Sequence, residues 1–126
     1  MNTDNGINQL TERVIGCAYQ VSNVLGSGFL EKVYENSLAL ELRKLGLTVA
    51  QQHSIDVKYE KQIVGEYVAN LLVNEAVILG VKAVRKLDEV HMAQCMNYLK
   101  ATGLRICLLI NFGSPKVEIK RIIHGT

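Results

Sequence analysis

The chain has no tryptophan, one proline, five tyrosines and two phenylalanines among 126 residues. A core so poor in aromatics has to be built from Leu, Val, Ile and Ala, and the scarcity of proline beside 48% apolar residues excludes a disordered or collagen-like polypeptide. Long apolar runs are also missing. None approaches the roughly 20 residues that cross a bilayer, and MNTDNGINQL lacks the basic-then-apolar order of a secretory leader. A cytoplasmic location and no membrane partner are the expectation. Charge of one sign is lacking as well: 14 Lys and Arg against 12 Asp and Glu give +2, too little to argue alone for nucleic acid or an anionic surface. Cysteines number three. Cys17, Cys95 and Cys107 are widely spaced among apolar neighbours, which predicts buried, reduced thiols rather than a disulfide framework or zinc site.

What is present reads as one domain over residues 1–126, with residues 1–5 expected to be flexible. Ile7, Leu10, Val14, Ala18, Val21 and Leu25 recur at helical spacing and predict a helix over residues 6–25, closed by Gly26-Ser27-Gly28. Leu30, Tyr34, Leu38, Leu42 and Leu45 mark a second helix that Gly46 stops. The period then changes to two. LTVAQQ, SIDVKYE and QIVGEYVANLLV read as antiparallel strands with turns near His53 and Glu60-Lys61. AVILGVKAV is apolar except for Lys82 and reads as a strand covered on both faces. Residues 88–102 predict a third helix, with Asp88 near its start and Gly103 after its end, and RICLLINF and KVEIKRII complete the chain as strands. The order α-α-β-β-β-β-α-β-β implies an α/β (α+β) mixed sheet flanked by helices, with the two strands around the third helix parallel.

Lys82 carries the most information, because an ammonium in a buried strand needs a polar partner. Ile78, Gly80, Lys82 and Val84 share one face of that strand, and a glycine there leaves a gap that can admit a ligand, a close backbone or water. On the preceding strand Val64, Glu66, Val68, Asn70 and Leu72 share a face, so Asn70 interrupts an apolar row. Its amide must be satisfied at both ends. Glu31, Tyr34 and Glu35 lie within one turn on the second helix, where the plain alternative is a solvated edge. His91, Gln94 and Tyr98 form a polar stripe on the third helix. Cys95 and His91 are four residues apart on the same helix, but nothing basic near Cys95 points to a nucleophile.

Gly28-Phe29-Leu30-Glu31-Lys32-Val33-Tyr34 resembles the signature of the bacterial GxxExxY family, a branch of the PD-(D/E)xK nuclease superfamily. The likeness extends through GFLEKVYENSLALELRKLGL, VANLLVN, VKAVRKL, HMAQCMNYLKATGL and LLINFG, roughly from Val14 to Ile123. Gln94-Cys95-Met96-Asn97-Tyr98 also resembles a QxxxY element found after the core lysine in exonuclease-like members. The resemblance implies a restriction-endonuclease-like core and phosphodiester hydrolysis assisted by Mg²⁺ or Mn²⁺. In such a site two carboxylates hold the ion through oxygen, the ion polarises the phosphate and acidifies a water, and a lysine two residues after the second carboxylate orients the attack.

In that pattern the first acid falls at Asn70, the second at Gly80 and the lysine at Lys82, so only the lysine is present. The resemblance therefore implies a vestigial site of Lys82 and Glu31 with Asn70, Gly80, Gln94 and Tyr98, in which Glu31 pairs with Lys82, and no metal is expected. A catalytically inactive binding or assembly module is one outcome. The alternative is an active nuclease in which Glu31 and a relocated acid, Glu66 before Glu75, hold Mg²⁺ or Mn²⁺. Nucleic acid, a second copy or another protein are the partners to consider. Lys82, Arg85, Lys86, Lys116, Lys120 and Arg121 are the phosphate contacts to test, against an ordinary solvated surface.

Overall fold

The computed structural model describes residues 3–125, with side chains from residue 6 onward. Two helices come first, α1 (Thr3–Leu25) and α2 (Glu31–Lys44), followed by strands β1 (Val49–Tyr59), β2 (Gln62–Val73) and β3 (Val77–Lys82). Helix α3 (Glu89–Thr102) crosses over to β4 (Ile106–Asn111), and β5 (Glu118–Ile123) ends the sheet. The five strands lie in chain order β1-β2-β3-β4-β5. β3 and β4 are parallel and the other pairs antiparallel, as the crossover helix requires. The expected flexibility of residues 1–5 lies in part outside the described residues; α1 begins at Thr3.

Three strands precede α3 rather than the four expected. LTVAQQ and SIDVKYE join into one 11-residue strand, and the turn expected near His53 is instead a kink inside it, where Gln52 has φ 53°. The register stays continuous across this point, from Gln51↔Leu71 to His53↔Ala69. A helical or strand period cannot reveal such a residue, because the hydrophobic pattern resumes on the far side.

The alternation of the strands sorts the core into two layers. Leu71, Val73, Val77, Leu79, Val81, Leu108 and Ile110 pack against α1 and α2 through Val14, Ala18, Tyr34, Leu38 and Leu42. Ile78, Leu72, Cys107 and Leu109 face the other way, onto Cys95, Tyr98 and Leu99 of α3. The kink also breaks the face expected for β2. Ala69 and Ile55 belong to the α3 layer together with Leu72, whereas strict alternation would place Ala69 with Leu71.

Local chemistry fixes the helix ends that border the site. Leu30 at the start of α2 has no side chain to cap it. The Tyr34 hydroxyl takes over, accepting the Phe29 N–H at 3.1 Å and donating to the Gly26 carbonyl at 2.6 Å. Its ring lies flat on Phe112 at 4.8 Å, so Tyr34 ties the α1–α2 loop to the core. At α3, Asp88 accepts the Val90 and His91 N–H groups while His91 Nδ1 accepts the Asp88 N–H, a reciprocal capping box.

Candidate active site

The β2–β3 ladder pairs Val73 with Val77, Leu72 with Ile78 and Leu71 with Leu79, and stops there. One step further stand Asn70 and Gly80, where the strands have parted. Asn70 Oδ1 accepts the Val81 N–H at 2.8 Å, a side-chain bond in place of the missing ladder. With its oxygen so engaged, Asn70 turns Nδ2 toward α2 and donates to Glu35 Oε1 at 2.9 Å and Glu31 Oε2 at 3.2 Å. The bonding fixes this orientation, since a reversed amide would set two donors against each other at Val81 and two acceptors at each carboxylate.

Glu35 is 1% exposed. Its Oε1 accepts Gln52 Nε2 at 2.6 Å and Asn70; its Oε2 accepts Lys32 Nζ at 2.8 Å and Gln51 Nε2 at 3.0 Å. A carboxylate has about four lone-pair sites, and all are filled. Burial pushes this carboxyl up, but the hydrogen bonds from Asn70, Lys32 and Gln51 and the Lys32 charge outweigh it. The net result lies below the usual carboxylate range. Neighbouring residues of a regular strand face opposite sides, so Gln51 and Gln52 can both reach Glu35 only because Gln52 is left-handed. Asn, Asp and Gly tolerate that conformation best, and a glutamine held there marks backbone strain stored at the site.

The α3 side of the sheet is organised differently. Lys82, at the end of β3, donates to Gln94 Oε1 at 3.1 Å. Among the described residues no carboxylate pairs with it. The expected Glu31–Lys82 pair is absent because Asn70 holds Glu31 on the α2 side. The gap expected over Gly80 is closed: a Cβ there would stand 3.3 Å from both Cys95 Sγ and Leu109 Cδ1. Tyr98 donates to the Val68 carbonyl at 3.3 Å, and burial pushes its phenol up to about 12. The neighbouring Cys95 and burial push the Cys107 thiol above the ordinary range. His91 serves the α3 cap rather than Cys95, and all three cysteines are free and buried.

The remaining expected residues do not converge. Glu66 lies opposite Asp56 in the ladder, four residues before Asn70, and Glu75 sits in the β2–β3 turn at the far end of the three paired positions. Lys120 and Arg121 are consecutive in β5 and so point to opposite faces; Arg121 bonds Asn8 and Thr11 of α1. Arg85 and Lys86 are exposed in the segment after β3, next to Lys82. Sequence reasoning placed Glu35 beside Glu31 without foreseeing its burial, and it missed Gln51 and Gln52. Their signal was slight: two polar residues in succession where β1 should alternate, and a second glutamate one turn after Glu31, adjacent to a core tyrosine.

A hard divalent cation takes oxygen ligands. Asn70 presents nitrogen to the carboxylates, Gly80 presents nothing, and Glu35 has no lone pair left. Among the described residues no group of three or more His, Cys, Asp or Glu could hold a metal ion, and Glu66 stands opposite Asp56 in the β1–β2 ladder. The donor set does not fit such an ion.

Helices on both faces of a mixed sheet whose central strands part at an Asn-Gly pair, with a lysine two residues on, define an α/β fold of the nuclease-like kind. The PD-(D/E)XK nuclease superfamily profile matches residues 8–122, and the chain belongs to that superfamily. In shape it is similar to the crystal structure of SSO0001, with TM-score 0.59 and 13% identity over 94% of this chain and 59% of that one. It is similar also to an alkaline exonuclease (LHK-Exo) from Laribacter hongkongensis, with TM-score 0.51 and 14% identity over 86% of this chain and 76% of that one. Identities so low speak for the fold alone, and the chain spans 59% of the length of the first structure. No curated protein matches it in sequence.

Proposed function

We propose that this chain is a binding module on the nuclease fold, which engages nucleic acid without hydrolysing it. One observation carries the reading: the Asn70 amide bridges Glu31 and Glu35 by nitrogen while its oxygen is locked to Val81. Hydrolysis of a phosphodiester in this superfamily depends on an ion that polarises the phosphate and generates hydroxide. Here an N–H donor lies between the carboxylates, and the groups that remain can bind but not activate water. Lys82 is half-buried with its ammonium held by Gln94, and Arg85 and Lys86 follow it at the surface, so a phosphate has three cations within five residues.

The test is direct. Pure protein incubated with single-stranded DNA, duplex DNA and RNA, in Mg²⁺ and in Mn²⁺, is expected to leave every substrate intact while retarding one of them in a salt-sensitive way. Metal-dependent cleavage that vanishes in Lys82→Ala overturns the proposal.

A further inference from the structure

A cavity of about 590 Å³ opens between α3 and the far half of the β1–β2 hairpin, away from Asn70 and Glu35. Tyr67, Val57, Lys58, Asn97, Lys100 and Ala101 line it, with Asp56 the single acid beside the two lysines. The size suits a ligand of several hundred daltons. Tyr67 is 45% exposed, and its ring is held in place against Tyr98 at 5.9 Å and 59°. It therefore offers a positioned aromatic face without further ordering cost. Lys58 and Lys100 make no ion pair among the described residues, so neither must break a contact to meet an anion. Asn97 is exposed on α3 and supplies a donor and an acceptor together.

We infer that this cavity binds a nucleotide unit, the base stacked on Tyr67 and the phosphate between Lys58 and Lys100, with Asn97 reading the edge of the base. A planar aromatic group, a carboxamide partner and an anion are the three things the lining can satisfy at once. The inference rests on the nucleic-acid-binding reading above for the kind of ligand, but not on the metal argument. A second cavity shares Tyr67 and Asn97 and continues along α3 past Gln94, the partner of Lys82, to Val90. The unit is thus either a free mononucleotide or the terminal residue of a single strand lying along α3.

Backbone amide shifts of the full chain, titrated with adenosine 5′-monophosphate, adenosine, inorganic phosphate, and linear and circular single-stranded DNA, test this. Saturable shifts with the mononucleotide at residues 56–58, 67 and 97–101 are expected. Tyr67→Leu should weaken binding about tenfold or more, as loss of one stacked base does, and Lys58→Gln with Lys100→Gln should do likewise and remove its salt dependence. Lys44→Gln, on the outer face of α2, should change nothing. Mononucleotide binding without a preference for linear DNA assigns a free ligand; tighter binding of linear than of circular DNA assigns a strand end. Equal affinity for phosphate alone or for adenosine alone overturns the inference, as does binding of oligonucleotides with no mononucleotide shifts. Because none of these readouts involves cleavage, a metal-dependent nuclease activity would sink the proposed function and leave this result standing.

Discussion

The two faces of the sheet handle the same problem in different ways. On the α2 face stands a polar cluster in which each oxygen of Glu35 is met by two nitrogens. On the α3 face Gly80 presents no side chain, and Cys95 and Leu109 pack closely over it. The contrast teaches that one sheet can hold a buried charge on one face by saturating it with donors, and fill the other face over Gly80 with apolar contacts alone. Lys82 stands at the boundary and takes a neutral oxygen, from Gln94, as its partner.

The strongest way to break this comparison is to remove the buried carboxylate. Glu35→Ala strands four donors and is expected to cost about 3 kcal/mol in urea unfolding, whereas Glu31→Ala, on an exposed residue, should stay within about 0.5 kcal/mol of the parent. Equal costs for the two would show that the cluster is not a closed network. Next in size, Asn70→Asp sets a third carboxylate against Glu31 and Glu35 and should lower stability by about 2 kcal/mol at neutral pH. Adding Gly80→Glu puts a further acid against Cys95 and Leu109 on the other face, so Mn²⁺ should leave the melting temperature of the double variant as unchanged as that of the parent. A Mn²⁺-dependent rise in the double variant would join position 80 to the cluster and break the contrast between the faces.

Smaller effects sharpen the α3 side. Gly80→Ala is expected to cost about 1 kcal/mol by overpacking against Cys95 Sγ, and Cys95→Ala in the same chain should recover part of it. A double-mutant cycle with no coupling would deny the contact. The smallest signatures are in pH. Glu35 is held below its ordinary value of 4.5, so its contribution is present above that value and is lost as pH falls through the folded-state value. Glu35→Gln should flatten that acid limb. Tyr98 is pushed up from 10.0 to about 12, so stability falls as pH rises between those values, where the unfolded chain ionises and the folded one does not. Tyr98→Phe should remove that loss, and absorbance titration of the phenols checks it.

Much of this architecture is legible in the residues. Helix ends at Gly46, Asp88 and Gly103, the parallel β3–β4 pair, and the face shared by Gly80 and Lys82 all follow from period and capping. The conformation of Gln52 does not, because a single left-handed residue leaves no mark on hydrophobic spacing, and with it went the burial of Glu35. Likewise Gly80 suggests an empty space, and only the packing of α3 shows that a thiol fills it. The partner of Glu31 was not legible either: Lys82 was expected, but Lys82 faces Gln94 of α3 and Glu31 meets Asn70.

β1 forms one border of the sheet, and eleven residues of it have a neighbour on one side only. Such a border invites another chain to add itself and grow an aggregate. The left-handed Gln52 and the register shift between Val57 and Lys58 cut it into short pieces of uneven twist. The irregularity that delivers two glutamines to one carboxylate thus also keeps a long exposed margin from serving as a template for its own copies.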